Sequence, residues 1–204
     1  MTDPVLRPFR AEDVAAVYDV CRRTGLDGAD ATGHYADPDL LGHLWAGPFL
    51  AIEPEHCLVV EDDDGVAGYC LATADTRRFE TECEVQWWPE LRARHDDPTD
   101  GDRSTWSRDE VLAHLVHHPP VAPDTVVAEH PAHLHVDLLP RVQGRGLGRE
   151  VMTAMFALLA SDGATGVHLG VGPANVRALG FYDRLGFGEL LRRPHVVFLG
   201  RPLP

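Results

Sequence analysis

The segment Leu139–Met152, LPRVQGRGLGREVM, decides the fold of this 204-residue chain. Glycine stands at positions 144, 146 and 148, arginine stands at 145 and 149, and a helical pattern of apolar residues follows. Glycines let a ligand approach the main chain closely, and free N–H groups at the start of a helix bind anions. The segment therefore predicts a diphosphate-binding turn, and the alternative is a glycine-rich turn with incidental arginines.

Two common phosphate-binding motifs do not fit this segment. A P-loop requires a lysine after its glycines, and the chain contains no lysine. A dinucleotide-binding fingerprint requires GxGxxG soon after the first strand of a βαβ unit, whereas Arg149 occupies the last glycine position and lies late in the chain. The pattern that remains is Q-x-x-G-x-G, which begins at Gln143 between a predicted strand and a predicted helix.

The composition narrows the class of protein. A length of 204 residues with 44% hydrophobic residues suits a single domain, 1–204, with a substantial core. The formal net charge of −14 disfavours nucleic acid and favours a cationic or amine partner. Without a long apolar run or a signal-peptide pattern, we expect a cytoplasmic protein with no membrane partner. The four cysteines lack zinc-like spacing, so we predict free thiols and no metal site.

The first 75 residues predict the order strand, helix, helix, strand, strand. The helix after strand Val5–Arg10 ends at Gly25, and its apolar stripe consists of Val14, Val17, Tyr18 and Cys21. A second helix is predicted in DPDLLGHLWAGP, with Asp37 as N-cap and Pro38 at the first position. The apolar runs CLVVED and VAGYCLATAD flank a turn that ends in glycine, which indicates a hairpin.

Residues 75–125 predict an insertion of two helices, over about 78–95 and 107–117. Ser107 and Glu110 form a capping box for the second helix. The insertion carries the tryptophans Trp87, Trp88 and Trp106. One interpretation is that these tryptophans line a substrate groove for a cationic amine. The alternative is that they anchor the insertion to the domain.

Roughly the last 75 residues of the chain predict strands and helices in alternation, followed by a pair of strands. The segments HLHVDLLP and TGVHLGVG predict strands on either side of the helix that follows the glycines. One face of that helix is formed by Leu147, Val151, Met155, Leu158 and Leu159. NVRALGFYDRLGF predicts a further helix that ends at Gly186, and GELLRR and HVVFLG predict a final strand pair.

The glycine segment and the helix that follows together resemble the GCN5-related N-acetyltransferase (GNAT) family. The family pattern [QR]-x-x-G-x-[GA] is matched from Gln143, and N-x-x-A-x-x-x-Y-x-x-x-G-F is matched by Asn175, Ala178, Tyr182, Gly186 and Phe187. The segments PHVVFLGRPL and HLHVDLLP are more narrowly similar to the acetyltransferase-like C-terminal domain of animal O-GlcNAcases. The resemblance covers most of the chain, with 75–125 as a departure.

The resemblance implies an α/β (α+β) GNAT fold and an acetyl-CoA site. We expect a mixed sheet of about six to seven strands, helices on both faces, and a splay between two parallel strands into which the pantetheine arm inserts. The residues expected to bind acetyl-CoA are Val136, Asp137, Leu138, Leu139, Gln143, Gly144, Arg145, Gly146, Leu147, Gly148, Arg149, Asn175 and Tyr182.

Tyr182 matches the family tyrosine that protonates the leaving CoA thiolate, and the alternative is a tyrosine that packs in the core. The strand before Asn175 has no carboxylate for a base. The candidates are therefore His133, His135 and Asp137, which strand alternation puts on one face, with His168 behind them. The HLH sequence resembles the paired histidines of arylalkylamine N-acetyltransferases. Deprotonation through water without a dedicated base is the alternative.

The resemblance implies acetyl transfer to a primary amine, on a small molecule or a lysine-bearing peptide, by direct attack in a ternary complex. Two other functions remain open: a CoA-binding sensor or peptide-binding module without catalysis, and an acyltransferase that uses a longer acyl-CoA. The expected substrate residues are Tyr35, in the loop between the N-terminal helices, and Trp87 and Trp88. We expect a monomer or a homodimer.

Overall fold

A computed structural model describes residues 3–204 of the chain as a seven-stranded sheet with helices on both faces. The strands are β1 Val5–Pro8, β2 Cys57–Asp62, β3 Gly65–Thr73, β4 Ala132–Leu138, β5 Gly166–Val171, β6 Gly188–Arg192 and β7 Val197–Pro202. The α-helices of the described residues are α1 Val14–Thr24, α2 Leu40–Trp45, α3 Gly47–Ile52, α4 Thr76–Gln86, α5 Trp88–Arg94, α6 Arg108–His117, α7 Asp124–Val127, α8 Leu147–Ser161 and α9 Val176–Asp183.

The sheet is mixed and contains the predicted splay. Its strand order is β1-β2-β3-β4-β5-β7-β6, and among the paired strands only β4 and β5 are parallel. The β3 and β4 strands pair over six residues, up to Leu138, whereas β4 and β5 pair only at Ala132 with Val167 and at His133 with His168. The two parallel strands therefore separate after His133, which confirms the predicted splay.

Side chains of the sheet alternate between two cores. Tyr69 and Leu71 of β3 belong to the core under helices α1–α6, whereas Cys70 and Ala72 belong to the core under α8 and α9. This period of two follows from the pleat of a strand. The prediction of helices on both faces is confirmed, and the four cysteines are buried free thiols as predicted.

The predicted apolar face of α8 is confirmed. Leu147, Val151, Met155 and Leu159 are buried, and Leu158 is partly buried against the same core. Packing of this face holds the start of α8, and with it the glycine segment, at the carboxyl end of β4. Among the described residues, no helix has both the length and the apolar composition needed to cross a bilayer.

The prediction for the second helix was wrong at both ends. The N-cap of α2 is Asp39, because the Asp37 carboxylate accepts a hydrogen bond from the Asp39 N–H and forms a turn there. The helix ends at Trp45, since Pro48 has no N–H to continue it and instead stands in the first turn of α3. The order is therefore strand, three helices, strand, strand.

The insertion has more helices than predicted. The helix predicted over 78–95 is two helices, α4 and α5, which meet at Trp87 because Pro89 lacks the N–H that a continuous helix needs. The predicted capping box of Ser107 and Glu110 is confirmed at the start of α6. The short helix α7 was not predicted.

An ionic network around the buried side chains of Glu53 and His56 ties the end of α3 to β3, α4 and the end of α8. Glu53 is fully buried, and its carboxylate accepts hydrogen bonds from Thr73 and Arg78, each at 2.7 Å. The ring of His56 lies between Glu53 and Asp162, 2.6 Å from each carboxylate. The hydrogen bond with Glu53 raises the pKa of His56 above its usual value.

We expect the free energy of unfolding to depend on pH through His56. The raised pKa stabilises the fold below about pH 6.5, and this stabilisation is lost as pH rises through the folded value, at up to about 1.4 kcal/mol per pH unit. Urea unfolding of the wild type and of His56→Gln across neutral and alkaline pH measures the effect. If the free energy of unfolding depends on pH in the same way for both proteins, protonation of His56 is not the cause of this pH dependence.

Candidate functional site

The gap between β4 and β5 leaves a stretch of β4 without a neighbouring strand on one side. Ala132 and Leu134, at the paired end, are buried, whereas Val136 and Leu138, beside the gap, are partly exposed. The Leu138 carbonyl accepts a hydrogen bond from the Gln143 side chain at 2.5 Å. Unpaired strand edges accept a further extended chain through backbone hydrogen bonds.

The glycine segment lies at the carboxyl end of this gap. Five successive backbone N–H groups, those of residues 144–148, have no acceptor among the residues that the structure describes. Gly144 and Gly146 adopt positive φ angles of 77° and 84°, and a Cβ at either position would meet no atom within 4 Å. The segment is thus an open turn with free N–H donors at the positive end of α8, which is the geometry that binds phosphate groups.

Other residues of the segment hold it in place. A Cβ at Gly148 would lie 3.1 Å from the Phe181 ring, so glycine permits the close packing of α8 on α9. Arg177 donates to the Gln143 side chain, which thereby joins β4 to α9. The Leu147 side chain is buried, and Arg145 and Arg149 are exposed at the rim.

Asn175 and Tyr182 lie on α9. The Asn175 side chain caps the helix by accepting from the Ala178 N–H at 3.0 Å. Tyr182 is 8% exposed, and its ring packs against Phe181 and Phe187. Burial, with a contribution from the Asp137 charge, raises its pKa, so the phenol stays protonated at neutral pH. No hydrogen bond from this hydroxyl to another described residue is formed.

The three candidate bases lie on one face of β4, on the side of the core under α1–α6. His133 is enclosed by the rings of Phe49 and Phe79, each 5.3 Å away. The Thr76 hydroxyl donates to the Pro131 carbonyl, so it accepts from His133 Nδ1 and leaves the Nε2 lone pair free. Burial lowers the pKa of His133 to about 3, so the ring is neutral at physiological pH.

His135 and Asp137 form a close pair on this face. His135 Nδ1 donates to the Trp45 carbonyl at 2.9 Å, and its Nε2 faces Asp137 Oδ2 at 3.3 Å. The Tyr69 hydroxyl donates to the same carboxylate oxygen at 2.7 Å. Burial raises the pKa of Asp137, an effect that the neighbouring His135 opposes. The sequence carries no signal for Trp45 or Tyr69, because the first acts through its backbone and the second through strand register.

The tryptophans of the insertion favour the anchoring alternative. Trp88 is 6% exposed in the core. Trp87 donates from its indole to the His43 carbonyl at 2.9 Å and packs closely on Gly47. Tyr35 packs on the edge of the same core.

An acidic cavity of about 430 Å³ lies between the loop before α2 and the insertion. Its charged residues are Asp37, Arg94, Asp96, Asp109 and Glu110. The Asp109 carboxylate accepts from the N–H groups of Ala36 and Asp37 and so joins α6 to the loop. Four carboxylates against one arginine give the cavity a negative potential.

Comparison with protein families and curated relatives covers nearly the whole chain. A model described as "Acetyltransferase (GNAT) family" matches residues 29–187. Protein O-GlcNAcase of Rattus norvegicus is 30% identical over 202 residues, and so is the Mus musculus protein; the aligned region is 97% of this chain. The chain spans 22% of the length of these curated relatives.

Solved structures share the fold along the whole chain. SsHAT is 41% identical, superposes with a TM-score of 0.91, and each chain covers 98% of the other. A GNAT superfamily phosphinothricin acetyltransferase from Sinorhizobium meliloti, solved with AcCoA, is 16% identical with a TM-score of 0.59 over 99% of this chain and 89% of its own. At 16% identity, the similarity to the phosphinothricin acetyltransferase shows only a shared fold.

Proposed function

Since this chain belongs to the acetyltransferase (GNAT) family, we propose that it transfers the acetyl group of acetyl-CoA directly to a primary amine. The observation that carries the proposal is the combination of an open β4–β5 gap with five free N–H groups at its end. The Tyr182 hydroxyl, which has no partner among the described residues, adds an acid to this arrangement. The acceptor is a small amine or a lysine-bearing peptide.

The residues around the gap and the glycine segment suit the binding of acetyl-CoA. The N–H groups of residues 144–148 donate to the two phosphates, with Arg145 and Arg149 exposed beside them. The backbone of residues 136–138 pairs with the pantetheine arm, and the free amide nitrogen of Asn175 is a further donor. Acetyl-CoA supplies an activated acetyl group and a thiolate leaving group.

Different residues around the gap would carry out the two proton transfers of the reaction. Tyr182 donates its proton to the leaving thiolate: burial raises its pKa, so the phenol is protonated at neutral pH, and its hydroxyl forms no hydrogen bond with the described residues. The attacking amine must lose a proton, and the His135–Asp137 pair is positioned to accept it. His133 lies between two phenylalanine rings, and burial lowers its pKa, so its imidazole is neutral. It therefore forms an uncharged side of the site next to this pair.

The acidic cavity supports a cationic acceptor. Leu40 lines the cavity at the first residue of α2, and Trp45, the last residue, contacts His135. A helix of six residues is about 9 Å long, so the cavity lies within reach of the proposed base. A basic group on the acceptor would be attracted there while its amine enters the gap.

Replacement of Asp137 by asparagine tests the proposed base. Asp137→Asn keeps the shape and an oxygen that can accept from the Tyr69 hydroxyl but removes the carboxylate, so we expect kcat to fall by about 100-fold. The Kd of acetyl-CoA should not change. Steady-state kinetics with the best amine and calorimetry measure the two quantities. Unchanged turnover would favour deprotonation through water.

The second candidate function is a CoA-binding module without catalysis. Calorimetric titration with CoA and acetyl-CoA tests binding, and release of free CoA thiol in the presence of an amine panel tests transfer. Binding together with amine-dependent thiol release supports the enzyme. Binding without release from any amine supports the module, and absence of binding rejects both. The same assay with longer acyl-CoA donors in place of acetyl-CoA shows which acyl chain length the protein transfers best.

A further inference from the structure

The insertion carries a cluster of metal-ligating side chains, and the Trp106 ring lies 5.0 Å from the ring of His114 in this cluster. His114 and His118 lie one turn apart at the end of α6, and Asp97 lies in the segment between α5 and α6. One ligand atom of each, a carboxylate oxygen and two ring nitrogens, lie within 4.8 Å of one another. A further oxygen, the Thr99 hydroxyl, contacts all three side chains.

The separations of Thr99 and Asp97 from the two histidines approach those of a tetrahedral zinc site, and one ring nitrogen of each histidine lies within 4.8 Å of the other. Zinc with nitrogen and oxygen ligands at 2.0–2.1 Å requires donor–donor separations of about 3.3 Å. Thr99 Oγ1 lies 3.3 Å from His114 Nδ1 and 3.2 Å from His118 Nε2. Asp97 Oδ1 lies 3.5 Å from His114 Nδ1, and Asp97 Oδ2 lies 2.8 Å from His118 Nε2. Two imidazoles with one carboxylate favour a zinc-class ion over magnesium or calcium.

We propose that Asp97, His114 and His118 bind one divalent transition-metal ion of the zinc class, with Thr99 or water in the fourth position. The ion joins the segment 95–106 to the last turn of α6. The same helix carries Asp109, which holds the loop before α2, so the ion braces the insertion side of the acidic cavity. The sequence prediction of no metal site considered cysteine spacing and overlooked the H-x-x-x-H pair.

Arg103 competes with the metal. Its guanidinium donates to His114 Nε2 at 2.5 Å, so the proton of a neutral His114 ring lies on Nδ1, the atom that faces Asp97. A metal on Nδ1 of a neutral ring requires this proton to move to Nε2, and a protonated Nε2 cannot accept from Arg103. The exposed Arg103 side chain must therefore turn away when the ion binds.

Titration of Co²⁺ into the untagged full chain, previously treated with a chelator, tests the proposal. We expect one equivalent per chain with the strong visible absorption of tetrahedral Co²⁺, and displacement by Zn²⁺. His118→Ala and His114→Ala should each weaken Zn²⁺ binding by more than about 100-fold, because even outer-shell changes cost about 10–100-fold. His195→Ala, which removes another exposed histidine, should bind as the wild type does.

Arg103→Ala supplies a test that a general loss of structure cannot imitate. Removal of the competing guanidinium should raise Zn²⁺ affinity by about 10-fold or more, within the range of outer-shell effects. Circular dichroism of each variant establishes that it is folded. The proposal is overturned if Co²⁺ keeps its aqueous spectrum, or if folded His114→Ala and His118→Ala bind Zn²⁺ like the wild type.

Discussion

Gly146→Asp should weaken acetyl-CoA binding by at least about 100-fold, equivalent to about 2.7 kcal/mol. The residue has a φ of 84° at the N-cap of α8, where a side chain strains the backbone by about 1–2 kcal/mol. The new carboxylate also repels the phosphates and competes for the free N–H groups, and each charge-assisted hydrogen bond contributes about 1.5–3 kcal/mol. Calorimetric titration with acetyl-CoA measures the loss.

Two variants separate charge from backbone strain. Gly163 at the other end of α8 has a φ of 85° and equally open surroundings, so Gly163→Asp introduces the same strain and charge away from the phosphate-binding turn. We expect it to bind acetyl-CoA like the wild type. Gly146→Ala, with strain alone, should have an intermediate effect. If folded Gly146→Asp keeps full affinity, the turn does not bind the diphosphate.

Tyr182→Phe should lower kcat by about 100-fold or more while the Kd of acetyl-CoA stays the same, because general acids contribute about 10²–10⁴-fold. The ring packs against Phe181 and Phe187, and phenylalanine preserves these contacts. The hydroxyl forms no hydrogen bond with the described residues, so its removal leaves no partner unsatisfied. Steady-state kinetics and calorimetry separate the catalytic effect from binding.

Tyr18→Phe is the matched control for this substitution. Tyr18 and Tyr182 are each 8% exposed, but the Tyr18 hydroxyl bonds His43 between α1 and α2. Loss of its hydroxyl should lower stability modestly, as loss of one hydrogen bond does, without a comparable loss of kcat. Full turnover by Tyr182→Phe would exclude the acid role and favour the alternative in which Tyr182 only packs in the core.

The fold could be predicted because its decisive signals are local in sequence. Gly144 and Gly146 adopt the positive φ angles that glycine permits, and the apolar face of α8 follows from a period of 3.6 residues. The alternation that put His133, His135 and Asp137 on one face is confirmed by their pairing with β3. The breaks near Pro48 and Pro89 were missed, although proline marks them, because the apolar pattern continues through both.

The sequence by itself determined the resemblance to the family, because the motifs that begin at Gln143 and at Asn175 and the apolar periodicity depend on neighbours along the chain. The splayed sheet and the acetyl-CoA donor were expectations that this resemblance implied. Only the tertiary structure decided what surrounds each polar side chain. It placed His135 beside Asp137, enclosed His133 between aromatic rings, and left the Tyr182 hydroxyl without a hydrogen bond to any residue of 3–204. It also brought Asp97 to His114 and His118. These contacts join residues far apart in the chain, and they depend on strand register and helix packing.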